Sequence, residues 1–167
     1  MILRLSINLP EDTASVRTAR RLSRCLLEDI RVELPVIDEV ETIVAELCSN
    51  VIRHARSEAA HYLVTLEYKE SQAVITVTDE GRGFAREDVP PMGAPRPDGD
   101  GGEPRYGGFG LFLLEGLSDK VDFTATVPHG TTVRVEKALR YETRGDADQA
   151  AAERDADSSS GVTASTQ

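Results

Sequence analysis

The chain has 167 residues, room for one compact domain and an appendage but not for two full domains. Hydrophobic residues make up 40% and charged residues 29%, and no apolar run approaches the roughly 18 residues of a membrane helix, so a membrane-spanning reading is excluded. Nineteen basic and 29 acidic residues leave a net charge of −10, a field that repels phosphate backbones and argues against direct nucleic-acid binding.

The first residues alternate polar with apolar and lack the continuous apolar run of a secretion signal, so the chain is expected to be cytoplasmic. Cys25 and Cys48 are too few for a disulfide framework and not at metal-ligand spacing. Both read as small core residues in a reducing compartment.

Leu3, Leu5, Ile7 and Leu9 alternate with Arg4, Ser6 and Asn8, the period of a strand with one buried face, which Pro10 ends. Val16, Ala19, Leu22, Leu26 and Ile30 recur at helical spacing and predict a helix over 12–31, with Asp12 or Thr13 as its cap. Pro35 opens a second helix reaching about residue 55. Its stripe of Val36, Val40, Ile43, Val44, Leu47 and Val51 is apolar, while Glu39, Thr42, Glu46, Asn50 and Arg53 lie on the other side. Two β-rich runs at 62–68 and 73–78, with Ser71 and Gln72 between them, predict a hairpin.

Residues 85–106 hold five prolines and four glycines and cannot form a regular element. An insertion of that length is a functional lid or a linker, and glycine motifs on both flanks favour the lid. A short apolar helix over 111–117 follows, then a strand carrying Val121, Phe123, Ala125 and Val127, a turn at Pro128-His129-Gly130, and a partner strand carrying Val133 and Val135. From Arg140 onward branched and aromatic residues almost vanish, so residues 140–167 read as a disordered acidic tail behind a domain spanning 1–139. The element order predicts an α+β fold, a two-layer sandwich of a mostly antiparallel mixed sheet with helices on one face.

Three clusters on these elements carry candidate chemistry. Glu46, Asn50 and His54, four residues apart, share one ridge of the second helix. A solvated helix face is the ordinary explanation, but Asn is a mediocre helix former without a capping duty here, which points to a ligand role. Asp79-Glu80-Gly81-Arg82-Gly83-Phe84 stands where a strand ends and the lid begins. A carboxylate there can accept a hydrogen bond from an amino group, and the glycines let a ligand approach the backbone, although Asp-x-Gly also builds ordinary turns. Gly107-Gly108-Phe109-Gly110-Leu111 opens the third helix, whose N-terminal amides can hold phosphate oxygens unless the glycines are a plain hinge.

Taken in order, these clusters resemble the motifs of GHKL-type, histidine-kinase-like ATP-binding domains. Glu46-x-x-x-Asn50-x-x-x-His54 is similar to the N-box, Asp79-x-Gly81-x-Gly83 to the first glycine box and Gly108-x-Gly110-Leu111 to the second. The small size, the segment 107–123 and Gly130-Thr131-Thr132-Val133 resemble the bacterial anti-sigma-factor serine kinases most, over about residues 2–138. The resemblance implies ATP and Mg²⁺ as cofactors, with Asn50 as the metal ligand. Asp79 would read the adenine amino group, with Thr131 near the adenine. Gly81 and Gly83 would lie against the nucleotide, Gly108, Gly110 and Leu111 at the phosphates, and Arg105 would reach a phosphate.

Glu46 would act as the base that takes the proton of a serine hydroxyl, a poor nucleophile otherwise. The implied partners are a sigma factor, an anti-anti-sigma protein of the STAS type and a second copy of the chain in a homodimer, with no nucleic acid and no membrane. A nucleotide-binding switch without phosphotransfer, or an activator of a phosphatase, is the alternative; Glu46 favours the kinase. A histidine kinase is excluded, because His54, His61 and His129 are the only histidines and only 34 residues precede Pro35, too few for a dimerising helical pair. A ligand-free scaffold would have no use for glycine and polar motifs that cost stability.

Overall fold

The computed structural model describes residues 2–54, 60–81, 109–126 and 129–143. The elements are β1 (Leu3–Pro10), α1 (Thr13–Asp29), α2 (Leu34–His54), β2 (His61–Tyr68), β3 (Gln72–Asp79), α3 (Phe109–Leu117), β4 (Lys120–Ala125) and β5 (Thr131–Ala138). They form one five-stranded sheet in the order β1-β2-β3-β5-β4. All four pairings are antiparallel, so this is an open antiparallel sheet with helices against one face, the α+β architecture expected.

Strand alternation sets which face is dry. Tyr62, Val64, Leu66 and Tyr68 of β2, Ala73, Ile75 and Val77 of β3, and Val133 and Val135 of β5 are buried under the helices. Every apolar position foreseen on α2 is buried, and Val36, Val40, Ile43 and Val44 are fully so. Burial of that whole stripe, rather than helix propensity, is what fixes α2 along the sheet.

α1 departs from the expectation. Its deepest positions are Ser15, Ala19, Ser23 and Leu27, while Val16, Leu26 and Ile30 are only partly buried. The cause is two hydrogen bonds to β2: Ser15 Oγ lies 2.7 Å from the Tyr62 hydroxyl and Ser23 Oγ lies 2.8 Å from the Tyr68 hydroxyl. Small residues on the inner stripe bring the helix close enough for two tyrosines to reach it. Burial pushes the Tyr68 hydroxyl up to about 12, so it stays protonated and available. This rotation puts Cys25 on the surface, correcting its expected place in the core, whereas Cys48 is buried.

The ends of α1 are built from local chemistry. Asp12 is the cap, its side chain accepting from Ser15 N at 2.8 Å. At the other end Arg31 N donates to Glu28 O and Val32 N to Leu27 O, both at 3.0 Å, the paired bonds of a Schellman turn. Arg31 therefore sits at φ 60°, a place that favours glycine. Arg24 bonds Glu41 and Asp38 across the helices, holding α1 on α2, and Glu28 one turn along its own helix. These carboxylates, Glu41 above all, raise the guanidinium still further above its ordinary value.

Residues 140–143 do not behave as the start of a tail. Val32 and Tyr141 form an antiparallel bridge, Glu33 N donates to Arg140 O, and Glu142 N donates to Arg31 O. The pairing thus runs to Glu142, with Tyr141 packed against the core and its hydroxyl donating to Lys69 O at 3.2 Å. The expected lid at 85–106 and residues 144–167 lie outside the described residues. No helix among the described residues is long and apolar enough to cross a membrane.

Candidate functional site

α2 presents Glu46 and Asn50 one turn apart, both partly buried. α3 lies over them, anchored by Leu114, which is fully buried in the common core. Burying a leucine is worth about 1.5–3 kcal/mol, enough to seat a helix of this length. The approach is closest at Gly110. A β-carbon added there would fall 2.7 Å from Glu46 Oε2 and 3.6 Å from Asn50 Oδ1. A side chain at this point would displace the Glu46 carboxylate, so glycine leaves that carboxylate its place beneath α3.

Arg53 joins this group. Its Nη1 donates to Asn50 Oδ1 at 3.5 Å, and its Nη2 lies 3.9 Å from Glu46 Oε2. The sequence places it on the polar face of α2, but its reach back to both residues depends on side-chain geometry that spacing alone does not give.

The second group forms where β3 and β5 pair. Asp79, Gly81, Gly130 and Thr131 are all buried. Asp79 Oδ1 accepts from Gly81 N at 2.8 Å, and Thr131 stands opposite Asp79 in the register. Burial pushes the Asp79 carboxyl up from its ordinary value, while the amides of Gly81, Thr131 and Asp79 itself pull it back. Gly130 has φ 111°, and a β-carbon on it would fall 2.0 Å from the Asp79 carbonyl oxygen. The sequence places it in a turn and in the Gly130-Thr131-Thr132-Val133 segment, but gives it no contact with Asp79. Only the pairing of two strands more than 50 residues apart reveals that it lies on Asp79.

Tyr62 ties the two groups together. It stands opposite Asp79 on β2, and its hydroxyl bonds the thiol of Cys48, which lies between Glu46 and Asn50 in α2. Burial pushes that thiol up to about 11, so Cys48 is packing rather than chemistry. Of the remaining expected residues, Leu111 is partly buried on α3, and His54 ends α2. Gly83, Arg105, Gly108 and the His54 side chain lie outside the described residues.

The donor chemistry suits a nucleotide with a hard cation. Asn50 Oδ1 and the Glu46 carboxylate are oxygen donors, as magnesium requires. Asp79 is a buried carboxylate, able to accept a hydrogen bond from an amino group, and Gly110, in the first turn of α3, stands against the Glu46–Asn50 ridge. Among the described residues no cluster of three or more His, Cys, Asp or Glu is placed to hold a metal by itself. A metal here would rest on Asn50 together with oxygens of the nucleotide and water.

The sequence pattern of the histidine kinase-like ATPase domain matches residues 9–137. The chain belongs to this family. Among curated relatives it is similar to the serine-protein kinase RsbW of Halalkalibacterium halodurans, 37% identical over 90 residues that are 52% of this chain and 54% of that protein. It thus spans about half of that relative's length. It is also similar to the anti-sigma F factor of Pasteuria penetrans, 29% identical over 112 residues, 64% of this chain and 71% of the relative. Among solved structures, the RsbU and RsbW domains of Rv1364c from Mycobacterium tuberculosis match with a TM-score of 0.62 at 18% identity. That match covers 85% of this chain and 33% of the other, and at this identity it bears on the fold of the family member, not on its activity.

Proposed function

We propose that the chain is a serine kinase of the anti-sigma type. It binds Mg²⁺-ATP, phosphorylates a serine of an anti-anti-sigma partner of the STAS type, and in its other state sequesters a sigma factor, acting as a cytoplasmic homodimer. The observation that carries the reading is the stack of Gly110 on Glu46 and Asn50, a carboxylate and an amide oxygen one turn apart beneath the first turn of α3. The names of the relatives, a serine-protein kinase and an anti-sigma F factor, support it.

Each residue then has a task. Asp79 accepts a hydrogen bond from the adenine amino group, with Thr131 beside the base and Gly81 and Gly83 along the nucleotide. Asn50 ligates magnesium, which supplies neutralisation of phosphate charge when bound. Gly108, Gly110 and Leu111 bring α3 amides to the phosphates, and Arg105 adds a positive charge. Glu46 takes the proton of the serine hydroxyl as its oxygen bonds to the γ-phosphorus and the bond from that phosphorus to ADP breaks.

The test is transfer of labelled γ-phosphate to the STAS-type proteins of the source organism, comparing the native chain with Glu46→Gln. A labelled serine, with the rate lowered about 10²–10⁴-fold in the variant while ATP binding persists, is expected. ATP binding and partner binding without any label would replace the kinase by a nucleotide-operated switch.

A further inference from the structure

Arg53 faces the same two oxygens that the proposed reaction uses, and no task described so far requires it. Nη1 donates to Asn50 Oδ1 at 3.5 Å, and Nη2 lies 3.9 Å from Glu46 Oε2, with the Arg53 side chain half exposed. The guanidinium thus spans a metal-ligating oxygen and the carboxylate beside it. A positive charge in that position does what a metal ion would: it neutralises Glu46 and draws Asn50 Oδ1 toward the site. It also makes Oδ1 a poorer ligand for a second cation, since that oxygen already accepts a hydrogen bond from a charged donor.

We propose that Arg53 is a placeholder cation, which holds the Glu46–Asn50 pair when no metal is bound and is displaced from Asn50 Oδ1 when magnesium arrives with the nucleotide. The proposal rests on the reading of Asn50 as the magnesium ligand. Two features fit it. Both contacts are at the long end of their range, so the group is held loosely. The side chain is half exposed, so it can swing into solvent without opening the core. An exposed contact of this kind shifts an equilibrium by no more than about five-fold, enough to keep the metal-free pair in order and too little to block a divalent ion.

The quantity that reads this is the ratio of ADP affinity in excess Mg²⁺ to ADP affinity in EDTA, measured by calorimetry on the full chain. Without Arg53 magnesium has no competitor, and nucleotide without metal loses a nearby positive charge. In Arg53→Gln the ratio is therefore expected to rise about two- to five-fold. Arg53→Lys, which keeps the charge, is expected to return it toward the native value. An unchanged ratio in Arg53→Gln, whatever the absolute affinities, overturns the proposal, because it marks Arg53 as a residue indifferent to the metal. A lowered ratio overturns it too. Asn50→Ala separates this from failure of the underlying reading: if the native ratio is near one and Asn50→Ala leaves it there, Asn50 does not hold magnesium and both fall.

Discussion

Replacing Gly110 by alanine tests the site through one atom. The added β-carbon starts 2.7 Å from Glu46 Oε2. Non-bonded heavy atoms settle near 3.5 Å, so the overlap is on the order of 0.8 Å. The obstructing group is the end of a flexible side chain rather than backbone, so the carboxylate gives way and α3 stays seated on Leu114. Alanine is also better than glycine inside a helix by about 0.5–1 kcal/mol. The fold should therefore hold or gain, with a melting temperature unchanged or up to about 4 °C higher. The reaction should suffer, because a base displaced by most of an ångström costs on the order of 10–100-fold in rate, about 1.4–2.7 kcal/mol of barrier. Gly116 supplies the control: it lies in the same helix, and a β-carbon there meets nothing within 4 Å. Gly116→Ala should bring the same helix gain with the native transfer rate. The assay is phosphate transfer to the partner serine, run beside thermal melts of both variants. A Gly110→Ala rate within about two-fold of native would refute the placement of Glu46 beneath α3. So would a rate loss accompanied by a lowered melting temperature, which would mean that the helix and not the carboxylate had moved.

Ser23→Ala leaves the buried Tyr68 hydroxyl without its partner at 2.8 Å and should cost about 1–3 kcal/mol in urea unfolding. Tyr68→Phe should cost less, since the Ser23 hydroxyl can turn back to a carbonyl of its own helix; the reverse order would contradict the pinning of α1 to β2. Arg31→Gly removes a left-handed arginine from the turn after α1 and should raise stability by about 0.5–1 kcal/mol in the same experiment, whereas a loss would show that the Arg31 side chain supplies more than the strain removes. Asp79→Asn tests the buried carboxylate by its pH dependence. Because burial raises the folded-state value above the unfolded one, native stability relative to the variant is greatest at low pH and is lost as pH rises through that raised value. The stability of Asp79→Asn minus that of the native chain should thus increase from about pH 4 upward and then level off, and a constant or shrinking difference would refute the charge burial. ADP affinity should fall about 10–100-fold in the same variant, as a hydrogen bond to a charged acceptor is lost.

What the sequence discloses and what it hides divide along the range of the interactions. α2 is legible because its apolar stripe repeats at helical spacing and is buried as a whole, and the same spacing aligns Glu46 with Asn50 without any tertiary knowledge. The strands are legible because alternation survives in β2, β3 and β5. α1 is half legible: its periodicity announces a helix, but the face it buries is decided by Ser15 and Ser23 reaching two tyrosines of a strand some 45 residues away, and a hydropathy pattern scores serine as exposed. Cys25 is misplaced by that same rotation. Arg31 escapes notice because a Schellman turn is recognised by its glycine, and here the backbone bonds hold an arginine in glycine's place. In the site, Asp79 and the glycines that follow it are contiguous and readable. Gly130 and Arg53 are not, the first because it meets Asp79 only when β3 and β5 pair, the second because its contacts lie at the tip of a long side chain. A local pattern therefore supplies the groups that define the family, while the residues that fit those groups to one another come from register and reach. The response of Arg53 to magnesium is where that fitting is directly measurable.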